Sequence, residues 1–133
     1  MSLAFVHVKF IFLLGSTLCF LGVGLGAMGT HMLKNSISSD FLNLFEVGVR
    51  YQLFHSLGIL VGAGFFVRWK ILFFKLSGYL FLCGTLLFSG SLYMIAFTGE
   101  KFFGKITPFG GICFLLGWLS MFYAFLKIEK DEF

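Results

Sequence analysis

The chain has 133 residues, of which 59% are hydrophobic and only 12% charged, with a net charge of +4 and a mean hydropathy of +0.97. Soluble domains carry about 25% charged residues, and a soluble core of this size has no room for 21 phenylalanines beside the leucines, so the excess apolar surface must be solvated by lipid. The few charges sit at the ends of apolar runs, where they report membrane topology rather than a nucleic-acid-binding patch.

Lys9 precedes an uncharged run from Phe10 to Thr30, long enough to cross a hydrocarbon core of about 30 Å. It exceeds the apolar part of a signal peptide and lacks a good small-x-small cleavage site, so it reads as a retained first helix. Within it Gly15, Cys19, Gly22, Gly26 and Gly29 recur at spacings of 4, 3, 4 and 3. That puts a single small-residue stripe along one side, the main device by which helices approach closely in lipid. His31 to Asp40 (HMLKNSISSD) is a polar connector, rich in side chains that compete for backbone hydrogen bonds. Ser39 or Asp40 is the expected cap of a helix starting at Phe41.

The second apolar segment, Phe41 to Val67, is the one that carries Glu46, Arg50, Gln52 and His55. On a helical wheel Gly48, Tyr51, Gln52, His55, Gly58 and Gly62 share a face expected to look into a bundle. Leu53, Phe54, Leu57, Leu60 and Val61 share the opposite, lipid-directed face. Glu46 and Arg50, four apart, are placed to pair along the helix. Arg68, Trp69, Lys70 and Lys75 form a short basic connector of interfacial composition. The third run, Leu76 to Gly99, repeats Ser77, Gly84 and Ser91 at intervals of seven, with Thr85 and Ser89 beside them. After a connector with Glu100, Lys101, Gly104 and Lys105, the fourth run, Ile106 to Leu126, opens on Thr107-Pro108, and proline is tolerated in a first helical turn. Gly110, Cys113, Gly117, Ser120 and Ala124 form a second small stripe. Two such stripes predict that the first and fourth helices pack closely and antiparallel. The tail KIEKDEF reads as solvated.

The predicted architecture is therefore all-α: one integral-membrane four-helix bundle with helices at about residues 9–30, 44–67, 76–98 and 107–127. Four spans put Lys9, Arg68, Lys70, Lys75, Lys127 and Lys130 on one side and Lys34, Lys101 and Lys105 on the other, with Arg50 assigned to neither. The excess of basic residues places both termini in the cytoplasm.

The polar residues His31, Glu46, Arg50, Tyr51, Gln52, His55, Ser89, Ser91, Tyr93 and Thr107 are expected to converge at the non-cytoplasmic mouth of the bundle, where ionisable groups at membrane depth mark either function or a structural network. Gly58, Gly62 and Gly84 join the two stripes as packing positions. His31, His55 and Glu46 are ligand types for a metal, but no spacing supports a site. Cys19, Cys83 and Cys113 form no CxxC or Cys/His motif. Ser56 adjoins His55, yet neighbours on a helix do not face each other, and no GxSxG is present. The expectation is a protein with no enzymatic activity, metal or cofactor. Its partners would be membrane lipid together with a membrane protein or further copies of itself. An accessory or structural role comes first. A small-solute or ion transporter subunit using Glu46, Arg50 and His55 is the alternative, and four short helices would then require a homo-oligomer.

Four stretches, in order, carry a resemblance: GLGAMGTH (Gly24–His31), FEVGVRYQLFHSLGIL (Phe45–Leu60), LFSGSLY (Leu87–Tyr93) and ITPFGGICFLLGW (Ile106–Trp118). Together they resemble the small inner-membrane protein family typified by the bacterial YgdD and YwdK proteins, domain of unknown function 423. A eukaryotic set, the transmembrane protein 256 family, is similar. The family's GAFGAH-like motif reads GAMGTH here, with Thr30 in place of a small apolar residue. The resemblance implies a four-helix integral protein of the bacterial cytoplasmic (inner) membrane. It implies no activity and assigns no role to any motif position, because the family has none established.

Overall fold

Long apolar runs without an internal proline satisfy their own backbone as helices, and the computed structural model, which describes residues 3–129, is built of four of them. They are α1 (Leu3–His31), α2 (Ser39–Trp69), α3 (Leu72–Thr98) and α4 (Thr107–Leu126). Short 3₁₀ turns, Leu33–Asn35 and Lys101–Lys105, fill the two longer connectors. No strand occurs among the described residues. By length and composition α1, α3 and the segment Lys101–Leu126 are apolar enough to cross a membrane. α2 falls short on mean hydropathy because it carries the polar residues of the second motif.

The caps explain the ends. Ser38, not Ser39 or Asp40, caps α2: its backbone is extended, and its hydroxyl accepts from the Phe41 N–H at 3.4 Å. Asp40 lies inside the first turn, where a negative charge suits the helix dipole. α2 thus runs well ahead of residue 44, the expected start. Its end leaves Lys70 in the left-handed region, with its N–H bonded to Phe66 O, so the α2–α3 link is very tight. Arg68 and Trp69 belong to α2, and Lys75 to the first turns of α3. α3 ends on Gly99 at φ 73°, a conformation glycine adopts without strain.

Midway along α3, residues Thr85–Ser89 form a π turn between two α-helical halves, Leu72–Gly84 and Gly90–Thr98. It lies in very close contact with α4. A β-carbon on Gly110 would collide with the backbone nitrogen and Cα of Phe88, and one on Gly84 would sit 3.0 Å from the Gly110 carbonyl oxygen.

The small-residue stripes are used, but not with each other. Among the described residues α1 and α4 do not form a packed pair; α1 lies antiparallel along α2, and α4 along α3. On the α1 stripe Gly15 meets Ile59 and Leu60, Gly22 meets Leu53 and Gln52, Gly26 meets Val49, and Gly29 meets Phe45. On the α4 stripe Gly110 meets Phe88 and Gly117 meets Phe81, while Ser120 donates to the Phe73 carbonyl at 2.8 Å. The expectation of an α1–α4 pair fails for a physical reason. A shallow stripe is filled best by large side chains, and α2 and α3 supply them. Leu53 and Leu60 are accordingly half-buried knobs in α1 and not lipid-facing, whereas Phe54, Leu57 and Val61 are exposed as expected. Gly58 and Gly62 take Phe81 and Ser77 of α3 in the same way. α2 and α3 are therefore central and the other two flank them. Their shared core holds Ile59, Phe74 and Phe81, all fully buried, with Ile11 from α1 and Phe114 and Met121 from α4. Around it α1 and α4 present broad apolar belts, including Phe20, Val23, Leu115, Leu119 and Phe122. Surface of that size is compatible with lipid, not water.

Candidate functional site

The ten predicted site residues do not form one cluster. The structure sorts nine of them into three helix joints and a set of rim residues, and leaves Ser89 buried without a hydrogen-bond partner among the described residues.

The first joint centres on Gln52, which is 4% exposed. Its side-chain amide donates to the Leu18 carbonyl of α1 at 2.8 Å, and its oxygen accepts from the Tyr93 hydroxyl of α3 at 2.9 Å. One glutamine thus binds three helices. Access to Leu18 depends on Gly22, whose missing β-carbon would lie 3.4 Å from the Gln52 amide nitrogen. A helical carbonyl has two lone pairs, so Leu18 can accept this bond beside its own helical one. One turn on, the buried Ser56 hydroxyl donates to the Gln52 backbone carbonyl at 2.6 Å.

The second joint is His55. Its Nδ1 lies 2.8 Å from the Tyr51 carbonyl, and its Nε2 lies 3.2 Å from the Trp118 indole nitrogen of α4. An indole N–H only donates and a carbonyl only accepts, so the ring is the neutral tautomer with the proton on Nδ1. The imidazole stacks on Phe114 at 3.5 Å between centroids and 10° between planes. Beside it a crevice of about 480 Å³ opens laterally between α2 and α4, walled by Tyr51, Phe88, Pro108, Phe114 and Trp118. Its lining is predominantly apolar, like that of the groove of about 470 Å³ between Val8, Phe12, Ala63 and Val67.

The third joint is a hydroxyl pair: Ser91 and Thr107 lie 2.7 Å apart, linking α3 to the first turn of α4, and Ser91 also donates to the Phe88 carbonyl. Ser89 is fully buried one turn before Tyr93, and neither it nor Thr85 of the π turn has a hydrogen-bond partner among the described residues.

Glu46, Arg50 and His31 belong to none of these joints. All three are exposed, and no ion pair joins Glu46 to Arg50 among the described residues. The pairing expected from their i, i+4 spacing does not form, because both project from the outer face of α2, where nothing holds the side chains together. Tyr51 is 40% exposed and stacks on Phe88 at 4.5 Å. His31, Glu46 and His55 are not brought together, and no group of three or more His, Cys, Asp or Glu among the described residues is arranged to hold a metal.

Trp118, Ser56 and the Leu18 carbonyl were not legible as site groups. Ser56 had a signal, since it sits one turn from Gln52 on the same helix, and Trp118 closes the stretch ITPFGGICFLLGW that carries the resemblance; a main-chain carbonyl had none.

The arrangement is a buried hydrogen-bonded frame in a membrane helix bundle, and comparison with known proteins gives the same setting. Residues 25–111, which hold Gln52, His55, Tyr93 and the Ser91–Thr107 pair, match the model of the family described as "Protein of unknown function (DUF423)". This chain belongs to the DUF423 family. It is 37% identical over 122 residues to the UPF0382 membrane protein YwdK of Bacillus subtilis, covering 90% of this chain and 98% of that protein. It is 33% identical over 122 residues to the UPF0382 inner membrane protein YgdD of Escherichia coli K12, covering 92% and 93%. A UPF0382 membrane protein of Staphylococcus epidermidis is 37% identical over 119 residues, covering 90% and 97%. No solved structure matches the chain. As a DUF423 member it is an integral membrane protein, localised like its relatives to the bacterial cytoplasmic (inner) membrane.

Proposed function

We propose that this DUF423 protein is a structural or accessory component of the membrane, without catalytic activity, that binds lipid and a membrane-protein partner through its outer helix faces. The observation carrying this reading is how the deep polar groups are used. Gln52 spends both ends, and His55 both ring nitrogens, on neighbouring helices. Groups committed to intramolecular bonds are not free to solvate a passing ion, and the crevice beside His55 and the groove between α1 and α2 are walled mainly by apolar side chains. In the proposed topology all four helices span and both termini are cytoplasmic. α2 contacts α1 from Phe45 to Leu60, against Gly29 to Gly15, so it shares the depth of a span-capable helix despite its polar content. Lys9, Arg68, Lys70, Lys75 and Lys127 then lie at one end of the bundle, as the positive-inside rule requires. Lys130 lies outside the described residues. The test is reconstitution: purified protein in liposomes should leave ion and small-solute permeability at the level of empty vesicles. A flux that Gln52→Leu or His55→Ala abolishes would overturn the accessory role.

A second reading, an oligomeric transporter or channel subunit, draws on the outward placement of Glu46 and Arg50. Charges on an outer face at the membrane are costly, and several copies meeting along α2 would shelter them. His55 cannot share that lumen, because it faces inward. A strictly monomeric mass in several mild detergents would count against this reading.

A further inference from the structure

Two of the three cysteines lie together. The sulfurs of Cys83 in α3 and Cys113 in α4 are 3.8 Å apart, and both thiols are free. They flank a very close helix contact: Cys83 precedes Gly84, and Gly110 lies one turn before Cys113. Backbones drawn this close by paired glycines bring facing side chains within reach of a disulfide, whose S–S bond is about 2.05 Å and whose Cα atoms lie roughly 4.4–6.8 Å apart. Oxidation has to bring the two sulfurs from 3.8 Å to that bond length.

The surroundings of the pair decide its chemistry. Cys83 is exposed and Cys113 half-buried, and the neighbouring surface is Leu86, Ile112 and Leu116, all exposed and apolar. The pair looks outward into hydrocarbon, from within two helices apolar enough to span it. Water-soluble oxidants and thiol buffers are excluded from that zone, and an oxidant dissolved in the lipid is not.

We propose that Cys83 and Cys113 form a lipid-facing dithiol that a membrane-dissolved quinone oxidises to an intramolecular disulfide. Both S–H bonds break and one S–S bond forms. The two electrons and two protons released reduce the quinone to its quinol, so the step balances without a further reactant. The product ties α3 covalently to α4 beside the π turn. This proposal is independent of the accessory role.

The experiment uses the full chain in phosphatidylcholine liposomes with decylubiquinone, a fully substituted ring with no free position for thiol addition. Wild type is compared with Cys83→Ser and Cys113→Ser, each first checked for an unchanged elution profile. The expected result is loss of two of the three titratable thiols, one quinol formed per chain, a chain two hydrogen atoms lighter, and a crosslinked peptide pair containing Cys83 and Cys113. Each serine variant should keep its remaining thiols, and Cys19 should stay reactive after denaturation in every case. Three thiols still titratable in quinone-treated wild type would overturn the proposal. So would a disulfide that joins two chains or involves Cys19.

Discussion

Replacing Gln52 with leucine tests the frame most directly. The two side chains are similar in volume, so the change removes chemistry and keeps shape. Two interhelical hydrogen bonds disappear, to Leu18 and to Tyr93, each costing about 0.6 kcal/mol on average in a membrane bundle. The Tyr93 hydroxyl is left unpaired in an apolar interior, a further cost of about 1 kcal/mol. Leucine recovers little, because the lipid it leaves is as apolar as the core it enters. The expected loss is about 2 kcal/mol. Tyr93→Phe removes one bond and strands the Gln52 oxygen, for about 1.5 kcal/mol. The double variant strands neither group, so it should lose only about 1 kcal/mol, less than either single change, with coupling in the range seen for residues sharing a network. Equilibrium unfolding from mild detergent into dodecyl sulfate, followed by tryptophan fluorescence, measures all three. Strict additivity, or an unmoved midpoint for Gln52→Leu, would refute the reasoning.

Gly110→Ala should prevent normal assembly or cost more than about 2 kcal/mol, because its β-carbon meets the Phe88 backbone, which cannot rotate away; Gly24→Ala, with open space around it, should be neutral, and comparing folded yield by size exclusion checks both. Glu46→Gln and Arg50→Gln should leave the unfolding midpoint unchanged singly and together, since both side chains are exposed and unlinked; a coupling between them would mean that the outer face of α2 is covered. Trp118→Phe keeps the ring but deprives His55 Nε2 of its donor, at a cost of about 1 kcal/mol. His55→Ala also removes the stack on Phe114, so it should cost clearly more in the same titration.

Much of this was readable from the chain. The 3–4 spacing of small residues marked the faces of α1 and α4 that meet another helix, and of the six residues expected on the inward face of α2, Gly48, Gln52, His55, Gly58 and Gly62 are buried, whereas Tyr51 is exposed. A stripe of glycines records that something approaches closely, but not which helix does so. The answer depended on Leu53, Leu60 and Phe81 filling the hollows, a property of the partner surface. The i, i+4 spacing of Glu46 and Arg50 permits a pair without requiring one, and on an outer face nothing enforces it. Gln52 and Tyr93 were both singled out, but their bond spans 41 positions and follows only once α2 and α3 are antiparallel neighbours. The His55–Trp118 contact, 63 positions apart, lay further out of reach. The π turn leaves no mark in hydropathy, because it changes the winding of α3 and not its composition.

That turn sets how the two ends of α3 are aimed. A π turn takes up an extra residue, so the residues after it are rotated relative to those before it, compared with an uninterrupted α-helix. One half presents Phe74, Ser77 and Phe81 to the core, and the other presents Ser91, Leu92 and Ile95. The angular offset between these two sets is fixed by a single surplus residue. Deleting one residue within Thr85–Ser89 would remove that surplus, so the winding straightens while both sets keep facing their neighbours. The middle of α3 is thus the place in this bundle where losing a single residue is absorbed best, because the π turn already holds one residue more than a continuous α-helix needs.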